Sequence, residues 1–372
     1  MKLKNLPDIS FAERDPTTIE QSVITITEGI LERKLARADP LRLWLLTLSA
    51  VIVQQREIID QSAKMNLLAY ATGDYLDHIG ILVGCERLQP AAATTRLEYT
   101  LSAVREQATL IPQGSRATAG DGVYFATTEP LLIPAGELTG QVPASCTVEG
   151  ADGNNYAVGE LRKIVNPMPF VDSVENITVT EGGADREEDD PYRLRIQEAP
   201  ESYSCAGSKG AYTFWTKTAS ALISDVAVIS PEPCKVNVYA LLKDGELPGE
   251  EILTAIDHTL NARTVRPLTD QVTVLPPTVK GYNVNLTYYI DTEDATNAVA
   301  IQLAVQNAVA EFVAWQKEKL GRDINPTELY HRIRGAGAKR AAIAEPVFTT
   351  VEPSEVAIEG TVSVTFGGLE DG

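Results

Sequence analysis

The sequence has few of the residues from which metal sites and redox centres are built. Its 372 residues include three histidines and four cysteines, and neither type occurs at the spacing of an HExxH, CxxC or zinc-finger motif. The cysteines lie far apart, at Cys85, Cys146, Cys205 and Cys234, which favours free thiols over disulfides or a metal site. We therefore expect no metal and no cofactor.

Sequence motifs of catalysis are missing as well. There is no GxxxxGK[ST] phosphate loop and no GxSxG nucleophile elbow. The segment 207–210 (GSKG) lacks the spacing of a phosphate loop, so we interpret it as a loop before a helix. The acidic run 185–190 (DREEDD) lacks the spacing of a calcium loop and favours a solvated helix N-terminus. The sequence predicts a protein that is not an enzyme.

Acidic residues outnumber basic ones by 51 to 32, which gives a formal net charge of −19. Phosphate contacts need a basic surface, so this charge disfavours nucleic acid as a partner of the chain as a whole. The charge is uneven, because 185–190 is acidic whereas lysines and arginines cluster between positions 317 and 340. Both segments are either solvated faces or complementary rims between neighbouring subunits.

Long apolar runs and a secretory signal are also missing. No uninterrupted apolar run approaches the ~20 residues of a membrane span. The N-terminal stretch MKLKNLPDISFAERD has no apolar centre of the kind that a signal peptide requires. The sequence predicts synthesis in a cytoplasm, without membrane insertion.

The most regular pattern is an apolar stripe of helical period between Leu41 and Met65. One heptad frame fits Leu41, Trp44, Leu48, Val51, Gln55, Ile58, Ser62 and Met65, with Gln55 as a polar interruption that can fix register or partner number. Asp39 and Pro40 suit the start of this helix, and Gly73 suits its end. The stripe belongs either to an ordinary core helix or to a bundle formed by several chains.

The rest of the chain predicts a multidomain α+β protein. Residues 1–90 read as a helical, bundle-forming region, and 91–185 as a β-rich domain of short strands separated by turn signals. Helices alternate with strands in 186–277 and again in 278–372, which predicts two α+β sandwich-like domains. The last of these is expected to take part in oligomerisation.

Several motifs resemble one family in their order and spacing. Ala71-x-Gly73-x-x-Leu76-Asp77-x-x-Gly80 precedes Gly84-x-x-Arg87, and Ile111-Pro112-x-Gly114-Ser115 and the acidic run with Tyr192-Arg193 follow. These motifs resemble the baseplate J-like proteins, which are wedge proteins of contractile phage tails and tailocins. The resemblance covers nearly the whole chain, and is weakest in the first forty residues.

The resemblance implies a structural wedge subunit that surrounds the baseplate hub and rearranges on contraction. It implies as partners a second copy, a smaller protein similar to tail protein I, neighbouring wedges, and hub and sheath-proximal proteins. The particle would assemble in the cytoplasm of a bacterial host. From helical spacing we choose as interface residues Leu45, Leu48, Ile52, Gln55 and Ile59 for the bundle, and Phe312, Trp315, Tyr330 and Ile333 for ring contacts.

The main alternative is a surface- or carbohydrate-binding module of the same particle. The loops of the β-rich middle domain could serve this role. Aromatic residues make up only 6% of the chain, however, and no cluster of Trp and Tyr suits stacking on sugars.

Overall fold

The computed structural model describes residues 6–203, 207–262 and 265–371. They form two compact units. The first combines the chain up to residue 87 with the later segment 188–199, and the second contains 88–187 and the chain from 200 onwards. Among the predicted free thiols, Cys85, Cys146 and Cys234 form no disulfide, whereas Cys205 lies outside the described residues.

The N-terminal unit is built from helices. In the described part of the chain these are α1 (Pro16–Leu31), α2 (Pro40–Lys64), α3 (Gly73–Ile81) and α4 (Asp189–Glu198). Both α1 and α2 begin with a proline after an aspartate cap. The Asp39 carboxylate accepts a hydrogen bond from the Leu41 N–H at 2.9 Å, which satisfies a backbone donor that has no partner within the helix. The predicted start of the long helix is confirmed.

The predicted end of this helix at Gly73 is wrong, because α2 ends at Lys64. Gly73 has a φ of 53° and is instead the first residue of α3. The Arg193 guanidinium donates to the carbonyl oxygens of Leu68 and Ala71, at 2.8 and 2.7 Å. These bonds fix the segment between α2 and α3 in a path that is not helical.

The position of α4 also differs from the sequence prediction. The acidic run before Pro191 predicts a helix at the start of a domain 186–277. That helix forms, but it belongs to the N-terminal unit, where it packs on α3. The chain thus returns to its first unit after the β-rich segment is complete.

The β-rich segment forms a nearly closed barrel. Its strands are β1 (Thr94–Leu101), β2 (Thr109–Ile111), β3 (Arg116–Thr118), β4 (Phe125–Thr127), β5 (Leu131–Ile133), β6 (Thr139–Cys146), β7 (Lys163–Ile164) and β8 (Val171–Asn176). Six strands follow the order β7-β3-β4-β6-β1-β8, with β7 and β8 in contact, while β2 and β5 pair separately. Alternate residues of β1 point inward, and Leu97 and Tyr99 are fully buried there.

The next segment is a small sheet covered by two helices. Its elements are α5 (Lys209–Ala219), β9 (Ile223–Ile229), β10 (Lys235–Leu242), α6 (Glu250–Leu260) and β11 (Gln271–Leu275). The central strand β10 pairs antiparallel with β9 and parallel with β11, and α6 makes the crossover that the parallel pair requires. Val238, Ala240 and Ile256 lie in the core between sheet and helices.

The C-terminal segment is again a three-stranded sheet with two helices, and two of its strands are much longer. Its elements are β12 (Thr278–Asp291), α7 (Ala298–Lys317), α8 (Pro326–Gly335), β13 (Arg340–Glu345) and β14 (Glu355–Glu370). The strand order is β13-β12-β14, and the alternating residues of β12 from Tyr282 to Ile290 face the core, as their period predicts. The predicted multidomain α+β class is confirmed.

By length and composition alone, one helical stretch among the described residues, Thr292–Lys317, could cross a membrane. Val305, Val309 and Phe312 of this stretch are buried in the C-terminal core. A helix that packs on a sheet needs such an apolar face, so the core contacts account for these three residues, whereas Val299 and Leu303 of the same helix are exposed.

Candidate interaction surfaces

The inner side of α2 packs within its own unit. Leu45, Ser49, Asp60 and Lys64 are buried along this side, and Ile19 and Ile24 are buried on the neighbouring α1. Leu45, which the sequence predicts as an interface residue, is only 5% exposed. It faces the inside of the unit, so we remove it from the interface set.

A buried carboxylate ties the segment before α1 to α2. Asp60 accepts a hydrogen bond from the Phe11 N–H at 2.6 Å, and its second oxygen lies 3.1 Å from Lys64 Nζ and 3.4 Å from Arg14 Nη1. The Phe11 N–H, followed by Lys64 and Arg14, holds the pKa of Asp60 below its ordinary value although burial opposes this. Asp60 is completely buried, and its ion pair with Lys64 lies on the inner side of α2.

The outer side of α2 carries a stripe of solvent-exposed apolar residues. We call Trp44, Leu48, Val51, Gln55 and Ile58 the outer stripe. Trp44 is 61% exposed, and Val51 and Ile58 are about half exposed, although they follow the heptad spacing of a packed helix. An exposed apolar patch of this kind is typical of a protein–protein interface.

The predicted bundle residues straddle this stripe. Leu48, Gln55 and Ile59 are exposed, Ile52 is half-buried and Leu45 is buried. Leu45, Ile52 and Ile59 are spaced by seven, and a straight helix rotates such a row by about 20° per heptad. The row therefore turns from the inside of the unit at Leu45 towards solvent at Ile59.

A second polar cluster fastens α4 to α3. The Arg87 guanidinium contacts Asp77 at 2.6 Å and Asp189 at 2.8 Å, and it stacks 4.5 Å from the centre of the Tyr192 ring. Burial alone would lower the pKa of Arg87, but the two carboxylates raise it above its ordinary value. Burial opposes ionisation of Asp189 too, yet the Gly73 N–H and Arg87 keep its pKa low.

Gly80 completes this cluster. The Tyr192 hydroxyl donates to the Cys85 carbonyl at 2.7 Å and passes directly over Gly80, where a methyl group would collide with it. The motif from Leu76 to Arg87 therefore has a structural role, which is to receive the helix that carries Asp189 and Tyr192. Sequence spacing could not reveal this, because the two halves are about a hundred residues apart.

Of the four residues predicted for ring contacts, two are buried in the C-terminal core and two are partly exposed. Phe312 and Ile333 are fully buried beneath α7 and α8, so they do not form a surface, and we remove them from the interface set. Tyr330 is 40% exposed, and Trp315 is half-buried with its ring 4.0 Å from the Arg322 guanidinium. The exposed apolar residues of α7 are instead Val299 and Leu303.

Much of the basic cluster at 317–340 is paired within the chain. The ion pairs are Lys317–Glu359, Arg332–Glu328, Lys339–Asp291 and Arg340–Glu370. In the acidic run, Asp189 pairs with Arg87 and Asp190 with Arg193. These partners reduce the charge available for rims between subunits, and that role stays a prediction.

A cleft of about 830 Å³ lies between the barrel and α6. One of the glutamates that line it, Glu181, accepts a hydrogen bond from the Glu251 N–H at 3.2 Å and so caps the start of α6. Burial and the nearby Glu181 raise the pKa of Glu251. Glu181 thus serves as a helix cap. Across the described ranges, no three His, Cys, Asp or Glu side chains lie close enough together to hold a metal.

Comparison with known proteins gives a consistent set of matches. Family models for the Baseplate J-like N-terminal domain, protein barrel domain, central domain and C-terminal domain match residues 39–94, 99–183, 204–276 and 282–365. Baseplate protein J of Escherichia phage P2 is 32% identical over 174 residues, which are 46% of this chain and 57% of that protein. The match thus spans little more than half the length of this relative.

Among solved structures, the chain resembles one in the cryo-EM structure of the anti-feeding prophage (AFP) baseplate, 6-fold symmetrised. The TM-score is 0.43 at 13% sequence identity, with 92% of this chain and 89% of that chain covered.

Proposed function

Because the chain belongs to the Baseplate J-like family, with matched domains from residue 39 to residue 365, we propose that it is a wedge subunit of a contractile phage-tail or tailocin baseplate. Its role in the baseplate is structural. We propose further that it assembles in the bacterial host cytoplasm, contacts hub and sheath-proximal proteins and neighbouring wedges, and catalyses no reaction.

The observation that carries this proposal is the outer stripe of α2. Full burial of a large apolar side chain stabilises a complex by about 1.5–3 kcal/mol, so each half-exposed residue of the stripe retains about half of that for a partner. The partners that we propose are a second copy and a smaller protein similar to tail protein I. Together they would form a helical bundle in which Gln55 sets the register.

We propose that the rearrangement on contraction involves the C-terminal segment. Copies in neighbouring wedges would contact each other there, with Trp315 and Tyr330 among the contacts, and these interfaces would exchange between two arrangements on contraction. An apolar interface with a few charged groups at its edge suits such a change, because charges at a rim set orientation more than affinity.

The test is co-expression with the neighbouring genes, followed by size-exclusion chromatography with light scattering. The native chain is expected to elute in a defined complex with a smaller protein. Ile58→Asp should abolish this complex, because it places a charge in the outer stripe. The matched control is Ala50→Asp, which adds the same charge to an exposed position outside the outer stripe, about 80° from Ile58 around α2.

The two variants separate the possible outcomes. Loss of the complex with Ile58→Asp but not with Ala50→Asp supports a bundle on the outer stripe. Equal behaviour of the two variants, or a native chain that binds no neighbour, contradicts it. Circular dichroism of Ile58→Asp should remain that of the native chain, because this side chain is half exposed.

A further inference from the structure

The last strand of the protein has an unusually long free edge. β14 contains sixteen residues and pairs in parallel with β12 along one side. Since the sheet order is β13-β12-β14, no strand within the described chain pairs with its other side. Alternate backbone N–H and C=O groups of β14 therefore point away from the sheet, as a template for another strand.

The two edges of this sheet are protected to different degrees. β13 is only six residues long, and it is bounded by Arg340, Glu345 and Pro346, which discourage strand pairing. In β14 the stretch Thr361–Leu369 contains no charged residue and no proline. An exposed edge of this length and composition favours edge-to-edge pairing with another chain.

The centre of this edge is regular and is bounded by two irregularities. The pairing of β12 with β14 shifts register between Tyr282 and Val284, next to Gly360, and again between Tyr288 and Ile290, next to Gly367 and Gly368. Between these shifts, Val362–Phe366 pairs without interruption. Bulges of this kind limit strand addition to the segment that they enclose.

In the same central segment of β14, apolar side chains of the sheet remain exposed. Val284 and Tyr288 of β12 are 1–2% exposed, whereas Val362 and Phe366, their partners on the same side of β14, are 44% and 36% exposed. The Phe366 ring packs on Tyr288 with centroids 5.6 Å apart. The helices therefore cover the apolar side of β12 but leave that of β14 partly exposed. An added strand would extend the apolar layer.

We propose that β14 pairs antiparallel with β14 of a second copy, about a two-fold axis at Val364. In this register Val362 lies opposite Phe366 of the second copy, on the partly exposed apolar side. Within the segment that the two bulges enclose, Ser363 lies opposite Thr365 and Val364 opposite Val364, so no charges face each other. A two-fold contact requires such a self-complementary pattern.

The ion pairs of the C-terminal segment support this choice of partner. Glu370 is held by Arg340 at 2.7 Å and Glu359 by Lys317 at 3.4 Å, so the two acidic ends of the edge are compensated within each copy. The proposal rests on the proposed function, because it supplies one contact between copies in a ring. It is nevertheless separate from the outer stripe of α2.

The experiment uses the full-length chain with Ile58→Asp, which removes association through α2. Sedimentation equilibrium over a concentration series should show a monomer–dimer equilibrium. Adding Ser363→Lys and Thr365→Lys should raise the dissociation constant about 10- to 30-fold, because each lysine then faces a lysine of the second copy. Both positions are exposed on the polar side of β14, so the fold and its circular dichroism should be unchanged.

A charge exchange tests the register. The chain with Ser363→Glu and Thr365→Glu should also dissociate, whereas an equimolar mixture of the Lys and Glu chains should regain the affinity of the parent. A monomeric parent, a Lys chain that dimerises normally, or a mixture that stays monomeric would each overturn the pairing. Retention of the smaller partner by the β14 variants, without the α2 substitution, tests the proposed function independently.

Discussion

The barrel and the N-terminal helices differ in how completely they bury the apolar side chains that follow their periodic patterns. Leu97, Tyr99 and Phe125 are fully buried in the barrel, which satisfies its own core. Trp44 and Ile58 of α2 are more than half exposed, although their spacing suits a packed helix. The barrel therefore encloses a core of its own, whereas the helical unit leaves an apolar stripe of helical period exposed on α2.

The helical unit compensates for its smaller core with charged clusters. Asp60 joins the segment before α1 to α2, and Arg87 joins α3 to α4. Breaking a buried pair of this kind leaves an uncompensated charge, so removing one partner from either cluster should destabilise the unit. A unit held in this way can keep an apolar face exposed without collapsing onto it.

The largest effect is expected in the barrel. Phe125→Ala should lower the free energy of unfolding by about 3–5 kcal/mol, since it removes a fully buried ring and leaves a cavity. Urea denaturation followed by circular dichroism measures the loss. Leu132→Ala in β5 is the control, because this leucine is 60% exposed and its removal should cost less than about 0.5 kcal/mol. Similar costs for both would show that the barrel core is not closed.

Local periodicity predicted the parts of the fold that depend on neighbouring residues. The inward side of β1 and β12 and the cap at Asp39 follow from side chains a few positions apart. The heptad frame of α2 likewise identified the outer stripe. These features need no knowledge of the rest of the chain.

The other features of the fold depend on contacts between residues that are far apart in the sequence. The path between α2 and α3 is held by Arg193, and the role of Gly80 depends on Tyr192. Burial of Phe312 and Ile333 depends on the side of each helix that meets the sheet. Helical spacing shows that a helix has an apolar side, but it does not show whether that side meets its own domain or another chain.

An intermediate effect is expected where the helical unit is packed most tightly. Gly80→Ala should cost about 1–3 kcal/mol, because the added methyl group collides with the Tyr192 hydroxyl and lies 2.5 Å from the Cys85 oxygen. Hydrogen exchange of α3 and α4 should increase. The control is Gly29→Ala in α1, which has open space around it and should stabilise the helix by up to about 1 kcal/mol. Stabilisation by both substitutions would contradict the packing of α4 on Gly80.

The smallest effect on the isolated chain is expected at the outer stripe. Leu48→Ala should cost about 1–2 kcal/mol, because its side chain is already 38% exposed, whereas Leu45→Ala, three residues earlier on the buried side, should cost about 2–5 kcal/mol. Chemical denaturation of the chain alone measures both. In the co-expressed complex the difference between these two free-energy costs should be smaller, since Leu48 would then be buried against the partner. If Leu48→Ala costs no more in the complex than in the isolated chain, the outer stripe is not the contact, and the helical unit resembles the barrel in being complete by itself.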